Sequence, residues 1–328
     1  MKKAIFFIEG LEHLRFVEPY MKSIINSDYE IEVVSFENFL LDDFKTILIN
    51  KDQFNKFSLN LDADYLITTT PGVGNPYFQK SKILPKSQRP KYIYIFHSLV
   101  SPNEVYSNKS FIGFDYIFSP NEIISSQLKY LTKKSTKIFS EGYPLLTNQH
   151  YFQKKFDSHN QKILIAPSWG KFNLFKDGHM LTDLIENIGT EYEIYLRPHP
   201  MEDFDTGTKN NLNNVIFDFE KDLKNLAYFD FLITDWSGIG IEYSILTNRK
   251  TLYVNTIKKK RRKLSLAEKN LELVENKIRK SAGVEINSDN LSKIKSYLRA
   301  DLNIYEDCYI NKIKEPRFNT DKFESFFA

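Results

Sequence analysis

The chain has 328 residues, long enough for two domains of ordinary size. Apolar residues make up 41% and aromatic ones 15%, which supplies ample core and excludes a disordered chain; a net charge of +3 is too small for a chain built to bind nucleic acid. A single cysteine, Cys308, excludes an internal disulfide framework and a cysteine-rich zinc site, and fits a reducing cytoplasm.

In chain order, a buried strand is predicted over 4–8. Glu9, Glu12, His13 and Arg15 interrupt its apolar run too early for a secretory leader, and no stretch approaches the roughly 18 apolar residues of a membrane-spanning helix. A helix follows over 14–26 and a strand over 31–35, while 39–57 is mixed and reads as helical. Three segments then echo one another at 63–68, 114–119 and 229–234. Each places an acidic residue (Asp64, Asp115, Asp230) and an aromatic before apolar residues that end in a hydroxyl. Each reads as a helix end feeding a parallel strand, a recurring αβ unit. A strand over 91–96 ends at His97, Asn121 caps a helix to 131, and a strand over 137–139 closes the first sheet.

The polar stretch 148–161 places a boundary near residue 150, giving a first domain over 1–150 and a second over 151–328. The second restarts the pattern, with strands over 162–166, 193–196, 215–217, 231–233 and 251–254. Helices are predicted over 179–188, 223–227, 239–246, 265–280 and 292–298. Strands alternating with helices build parallel sheets, so the fold class is α/β, two doubly wound, Rossmann-like domains facing a cleft. The aromatic and charged tail 303–328 has no place fixed by its pattern; one place for it is back against the first domain.

The stretch 195–254 carries the chemistry. Arg197-Pro198-His199-Pro200 is a stiff turn at a strand's carboxyl end, because the prolines cannot continue a ladder. After the strand over 231–233, Ser237 reads as a helix N-cap, and Gly238 and Gly240 let another group approach the backbone. A strand, a small-residue turn and a helix N-terminus make an anion site, and ligands of open α/β sheets bind at the carboxyl ends of strands. Ser237 and Gly238 offer a hydroxyl and amides to phosphate. Glu242, one turn into the helix, either accepts ribose hydroxyls or is an exposed helix residue; Asp235 either lines the site or is buried beneath the loop. His199 with Asp235 makes only a weak metal pair, and no metal or other cofactor is expected. Asp62 with Asp64, and Asp203 with Asp205, read as structural. The loop Thr70-Pro71-Gly72-Val73-Gly74-Asn75 is a candidate acceptor loop. His13, His150, His159 and His179 read as surface residues. The basic run 258–263 (Lys258, Lys259, Lys260, Arg261, Arg262, Lys263) is either a solvated face or an attachment to an anionic membrane surface or a phosphate-rich acceptor. A non-catalytic domain of a polysaccharide assembly, or a nucleic-acid binder using this run, is the reading least supported.

These motifs resemble those of the CDP-glycerol glycerophosphotransferase family, the teichoic-acid primases and polymerases. Arg197-Pro198-His199-Pro200 is similar to the family's Arg/Lys-x-His-Pro, and Thr234-Asp235-Trp236-Ser237-Gly238 through Glu242-Tyr243 to its acidic-aromatic-serine turn. Gly142-Tyr143-Pro144, Ile165-Ala166-Pro167-Ser168-Trp169 and His97 are similar to three further motifs in the same order. The resemblance implies a GT-B-like fold and transfer of a polyol phosphate, most simply glycerol phosphate, from a CDP-linked donor. The acceptor is a hydroxyl of a cell-surface glycan or lipid-linked glycan, and CMP leaves. His97 is implied to deprotonate the acceptor and His199 to contact the donor phosphates; Arg197 does the same or pins its loop. Ser168, Asp235, Ser237, Gly238 and Glu242 fall on the donor side. The protein is then expected in the cytoplasm, at the inner face of the membrane, with an oligomeric state the sequence does not indicate. Ser98, Leu145, Gly170, Gly238 and Glu242 depart from the family's residues. The two lost cations keep a GT-B glycosyltransferase with a nucleotide-sugar donor as the alternative.

Overall fold

The computed structural model describes residues 2–38, 41, 43–50, 53, 62–73, 90–146, 161–171, 173–176, 178–202, 214–220, 223–258, 263–304 and 307–328. The chain divides into two units. The first is Met1–Thr147 with Arg261–Leu271 and Ile313–Ala328; the second is Asn148–Lys260 with Glu272–Lys312.

Among the described residues, seven parallel strands form the sheet of the first unit: β1 (Lys2–Ile8), β2 (Tyr29–Ser35), β3 (Lys45–Leu48), β4 (Tyr65–Thr68), β5 (Lys91–Ile95), β6 (Tyr116–Ser119) and β7 (Lys137–Ser140), in the order β3-β2-β1-β4-β5-β6-β7. The order reverses between β1 and β4, the switch point at which doubly wound sheets open a crevice. Ala4, Phe6, Ile8, Val33, Ile67, Ile93 and Phe118 build one core, against which the helix Leu11–Ser23 lays Val17, Tyr20 and Met21. The acidic residues of the echoing segments have a common job. The Asp64 carboxylate accepts from the amide of Lys3 at 2.8 Å, Asp115 from Tyr92 at 3.0 Å and Asp230 from Lys162 at 2.7 Å. In each case a carboxylate before one strand satisfies the amide at the start of the neighbouring strand, which fixes their register.

The segment 39–57, read as helical, contains the strand β3, which pairs with β2. Its exposed and half-buried side chains follow no strand alternation, because an edge strand beside a single neighbour buries little. Residues 313–328 also belong to the first unit. Phe323 packs 4.9 Å from Tyr20 and 5.3 Å from Phe118 between ring centroids, Phe326 lies 4.6 Å from Tyr116, and Phe327 lies 5.0 Å from Tyr29. Glu141 anchors the segment: its carbonyl accepts from Asn319 N–H and its carboxylate from Phe323 N–H, both at 3.0 Å. Gly142, with φ of 90°, sits where the backbone of Phe318 leaves no room for a Cβ.

Among the described residues, the second unit holds six parallel strands, β8 (Lys162–Ile165), β9 (Glu193–Leu196), β10 (Val215–Phe217), β11 (Phe231–Thr234), β12 (Thr251–Val254) and β13 (Gly283–Ile286), in the order β10-β9-β8-β11-β12-β13. Its switch point lies between β8 and β11. The helix Gly178–Ile188 packs Leu181, Leu184 and Ile188 on a core of Ile163, Ile165, Leu196, Ile233 and Leu252. The single helix expected over 265–280 is two, Leu266–Lys269 and Val274–Ser281, because the chain passes from the first unit to the second at residues 271–272. Strand β13 comes after them in a segment whose charge suggested only helix. Both units are therefore doubly wound, as the α/β class required.

Candidate functional site

In the second unit the ends of β8, β9 and β11 are locked together by two acids. Asp235 is fully buried. Its Oδ1 accepts from the amides of Ser168 and Trp236, each at 2.7 Å, and its Oδ2 from the amide of Leu174 at 3.0 Å. Both oxygens are thus taken by backbone, so Asp235 is the buried support under the loop, and Ser168 reaches the site as a residue held by it. Glu202 completes the lock. It accepts from Gly170 N–H at 2.9 Å and Asn173 Nδ2 at 2.8 Å, pairs with Lys176 at 2.9 Å, and its own amide donates to the His199 carbonyl at 2.8 Å. Burial would raise the Glu202 pKa, but the Gly170 amide and Lys176 outweigh it and hold the carboxyl below its ordinary value.

Above this support lies the turn into the helix Ile239–Thr247. Gly238, with helical backbone angles, takes the N-cap position expected of Ser237, and no side chain caps the helix. The Gly240, Ile241 and Glu242 amides bond back to Ser237 and Gly238 carbonyls. The amides of Ser237, Gly238 and Ile239, and the Ser237 hydroxyl, make no hydrogen bond to a described residue. Three successive free amides and a hydroxyl at a helix N-terminus form an anion cradle. Gly240 serves the fold: a Cβ there would lie 2.7 Å from Tyr253 Cε1 and 2.9 Å from Thr234 Cγ2, so the group it admits is the chain's own ring. Glu242 is buried, which removes the exposed-helix reading.

Arg197 is buried and bound twice to Asp218 Oδ2, from Nε at 3.1 Å and Nη2 at 2.7 Å, while its amide donates to Ile165 O at 2.9 Å. It pins its loop; its buried Nη1 has no partner among the described residues. His199 is half-buried, its ring centroid 6.2 Å from that of Trp169. Its Nδ1 accepts from the Met201 amide at 3.1 Å, so a neutral ring carries its proton on Nε2.

In the first unit His97 lies just past β5, and its ring centroid is 4.8 Å from that of His13 and 5.7 Å from that of Phe16. Tyr94 Oη is 3.5 Å from His97 Nδ1. His97 keeps part of its surface in solvent, yet the crowding of its ring dominates. Burial, then the charges of His13 and Arg15, hold its imidazole well below the ordinary value, against a hydrogen bond with the Ile95 backbone. His13, expected at the surface, is instead half-buried past the end of β1, beside the switch point. Burial lowers its pKa while Glu9 and Glu12 pull it up, and its Nδ1 is buried without a hydrogen-bond partner among the described residues. Its position soon after β1 was the available signal.

A second residue the motifs did not flag is Arg279, 2% exposed. Its Nη1 donates to the Asp235 carbonyl at 2.8 Å, its Nη2 to Val254 O at 3.4 Å and to Asn255 Oδ1, and its Nε to Glu285 at 3.3 Å. His179 is exposed; His150 and His159, Asp203 and Asp205, Gly74 and Asn75, and 259–262 of the basic run lie outside the described residues. Lys258 lies 4.8 Å over the Trp236 ring. Among the described residues no group of three His, Cys, Asp or Glu is placed to hold a metal ion, and no helix is long and apolar enough to cross a membrane.

The sequence model of the CDP-glycerol:poly(glycerophosphate) glycerophosphotransferase family matches residues 32–263, well over half of the chain. The teichoic acid glycerol-phosphate primase of Bacillus subtilis strain 168 is 25% identical over 231 residues, 60% of this chain and 59% of that protein; the chain thus spans less than two-thirds of this curated relative. Among solved structures, the wall teichoic acid polymerase TagF soaked with CDPG is similar over 99% of this chain and 84% of its own, with 15% identity and a TM-score of 0.58. MnaA of S. aureus, solved with UDP, is similar over 100% of this chain and 98% of its own, with 13% identity and a TM-score of 0.62. These two likenesses give the fold, the GT-B architecture of two doubly wound halves. With five motifs in order along one chain and the family's own sequence pattern laid over 32–263, the conclusion is that this protein belongs to the CDP-glycerol:poly(glycerophosphate) glycerophosphotransferase family.

Proposed function

We propose that the protein transfers glycerol phosphate from CDP-glycerol to a hydroxyl of a cell-surface glycan or lipid-linked glycan and releases CMP. The observation that carries the reading is the cradle of free amides at Ser237, Gly238 and Ile239, held by Asp235 at the switch point of the second sheet. Such a cradle suits a diphosphate, the group every CDP-linked donor presents. His199, on the loop after β9, is the proposed contact for a phosphate oxygen, and the buried Glu242 for a ribose hydroxyl.

In the reaction the acceptor oxygen attacks the phosphorus that bears glycerol. The bond from that phosphorus to the bridging oxygen breaks, and CMP departs with the negative charge on its phosphate. His97, neutral at pH 7 because its pKa is lowered, takes the acceptor's proton. Positioning and charge stabilisation carry most of the rate, as in phosphoryl transfer generally. A lipid-linked acceptor brings the chain to a membrane, and the basic run 258–263 supplies attraction to anionic lipid of about 1 kcal/mol per cation near the surface.

The test is direct. Purified protein is given CDP-glycerol and a glycan acceptor, and products are followed by phosphorus NMR. A new phosphodiester with equimolar CMP is expected, lost in His97→Gln and His199→Gln. A glycosidic product from a nucleotide sugar, or no binding of any cytidine nucleotide, overturns the reading in favour of a GT-B glycosyltransferase.

A further inference from the structure

We infer that Arg279 is a positioning residue of the anion cradle, shaping the turn 235–238 from a segment that lies beyond the family-matched residues 32–263. The inference rests on the proposed diphosphate site. Arg279 comes from the helix Val274–Ser281 and is 2% exposed. One guanidinium edge reaches the Asp235 carbonyl, at the end of β11. Another reaches the Val254 carbonyl and the Asn255 side chain, at the end of β12. Its face lies 4.0 Å over the Trp236 ring and 4.8 Å over Tyr253. Glu285 takes the remaining Nε–H.

The geometry has a specific effect on the peptide that joins Asp235 to Trp236. Its carbonyl is drawn to Arg279, while its N–H is drawn to Asp235 Oδ1. With both ends fixed, the start of the turn is set, and the next three amides, those of Ser237, Gly238 and Ile239, which bond to no described residue, follow it with their N–H groups left for a ligand. Lysine cannot reproduce this: a single ammonium cannot hold two strand-end carbonyls and stack flat on an indole. The buried positive charge behind the cradle also favours an anion in front of it.

The probe is inorganic diphosphate, read by intrinsic fluorescence; the two tryptophans, Trp169 and Trp236, both belong to the second unit and report on this site. Wild type should respond saturably. Arg279→Lys should keep a thermal transition near wild type yet bind diphosphate about tenfold more weakly, and Arg279→Ala should lose about a hundredfold, restored in part by added guanidinium. Where Arg279 variants do not fold, Glu285→Gln serves. Glu285 is half exposed, and the change removes the charge from the bond to one guanidinium edge without opening the core, so diphosphate binding should weaken about threefold. Folded Arg279→Lys or Glu285→Gln that binds diphosphate as tightly as wild type overturns the inference, as does wild type that does not bind it. Wild type that binds diphosphate but transfers no glycerol phosphate removes the proposed reaction and leaves the role of Arg279 standing.

Discussion

Replacing Asp235 by asparagine separates a clamp from a ligand contact. In the native protein three amides converge on this buried carboxylate: Ser168 and Trp236 on Oδ1, Leu174 on Oδ2. Asparagine has one carbonyl oxygen. Turned toward Ser168 and Trp236 it keeps two bonds but sets its own NH2 against the Leu174 N–H, leaving two donors opposed in a dry site. The other rotamer keeps one bond and orphans two amides. Losing one charge-assisted bond costs about 1.5–3 kcal/mol, and the two survivors weaken once the charge is gone, so Asp235→Asn should cost about 2–4 kcal/mol. Urea denaturation followed by circular dichroism measures this, with an unchanged slope marking a true stability loss. Diphosphate binding, which depends on the same turn, should weaken in parallel. An Asp235→Asn protein within about 0.5 kcal/mol of wild type that no longer binds the donor would show that the carboxylate touches the ligand, and the clamp assignment would be wrong.

Three further outcomes are expected. His13→Leu removes a neighbouring imidazole from His97 while keeping the site apolar, so the His97 midpoint, tracked by NMR, should rise toward the ordinary histidine range; an unmoved midpoint denies the coupling. Burial raises the pKa of Glu141 to about 7, against the opposing Phe323 and Lys322 amides. The native state then holds a proton that the unfolded chain releases near 4.5, so stability falls as pH rises from 4.5 through 7. The full shift corresponds to about 3 kcal/mol, which solvent screening reduces to about 1–2 kcal/mol. Glu141→Gln should flatten that slope and be the more stable form at pH 8, and an identical pH profile for both proteins refutes it. Gly240→Ala drives a methyl into Tyr253 and Thr234 and should cost about 1–3 kcal/mol in thermal unfolding; a neutral result would mean that the ring moves freely.

The strands β9, β10 and β12 were legible to the residue, because each is a short apolar run between polar turns. The echoed acids Asp64, Asp115 and Asp230 were visible as a pattern but not as a purpose, since the amides they satisfy belong to strands 23 to 68 residues away. β3 and β13 were not legible: the first is a poorly buried edge, the second comes after charged helices. In the site, the turn 234–238 and the loop 197–200 announced themselves by residue type. Their division of labour did not. Asp235 and Arg197 carry charges that suggest ligands, yet their partners are the Ser168, Trp236 and Leu174 amides and the Asp218 carboxylate, which only folding brings near. His13 and Arg279 lie in stretches without a motif; only the position of His13 soon after β1 pointed to it, and Arg279 is placed by tertiary contact alone.

The aromatic closure of the first unit has a bearing on synthesis. Phe318, Phe323, Phe326 and Phe327 leave the ribosome only after the whole second unit has been made, and until then Tyr20, Tyr29, Tyr65 and Phe118 lack their contacts with these rings. The core of the earlier-made half is therefore completed only when the later one has emerged. A stop codon before residue 313 would leave that core without these rings, so the four phenylalanines act as the latch on residues made before the second unit.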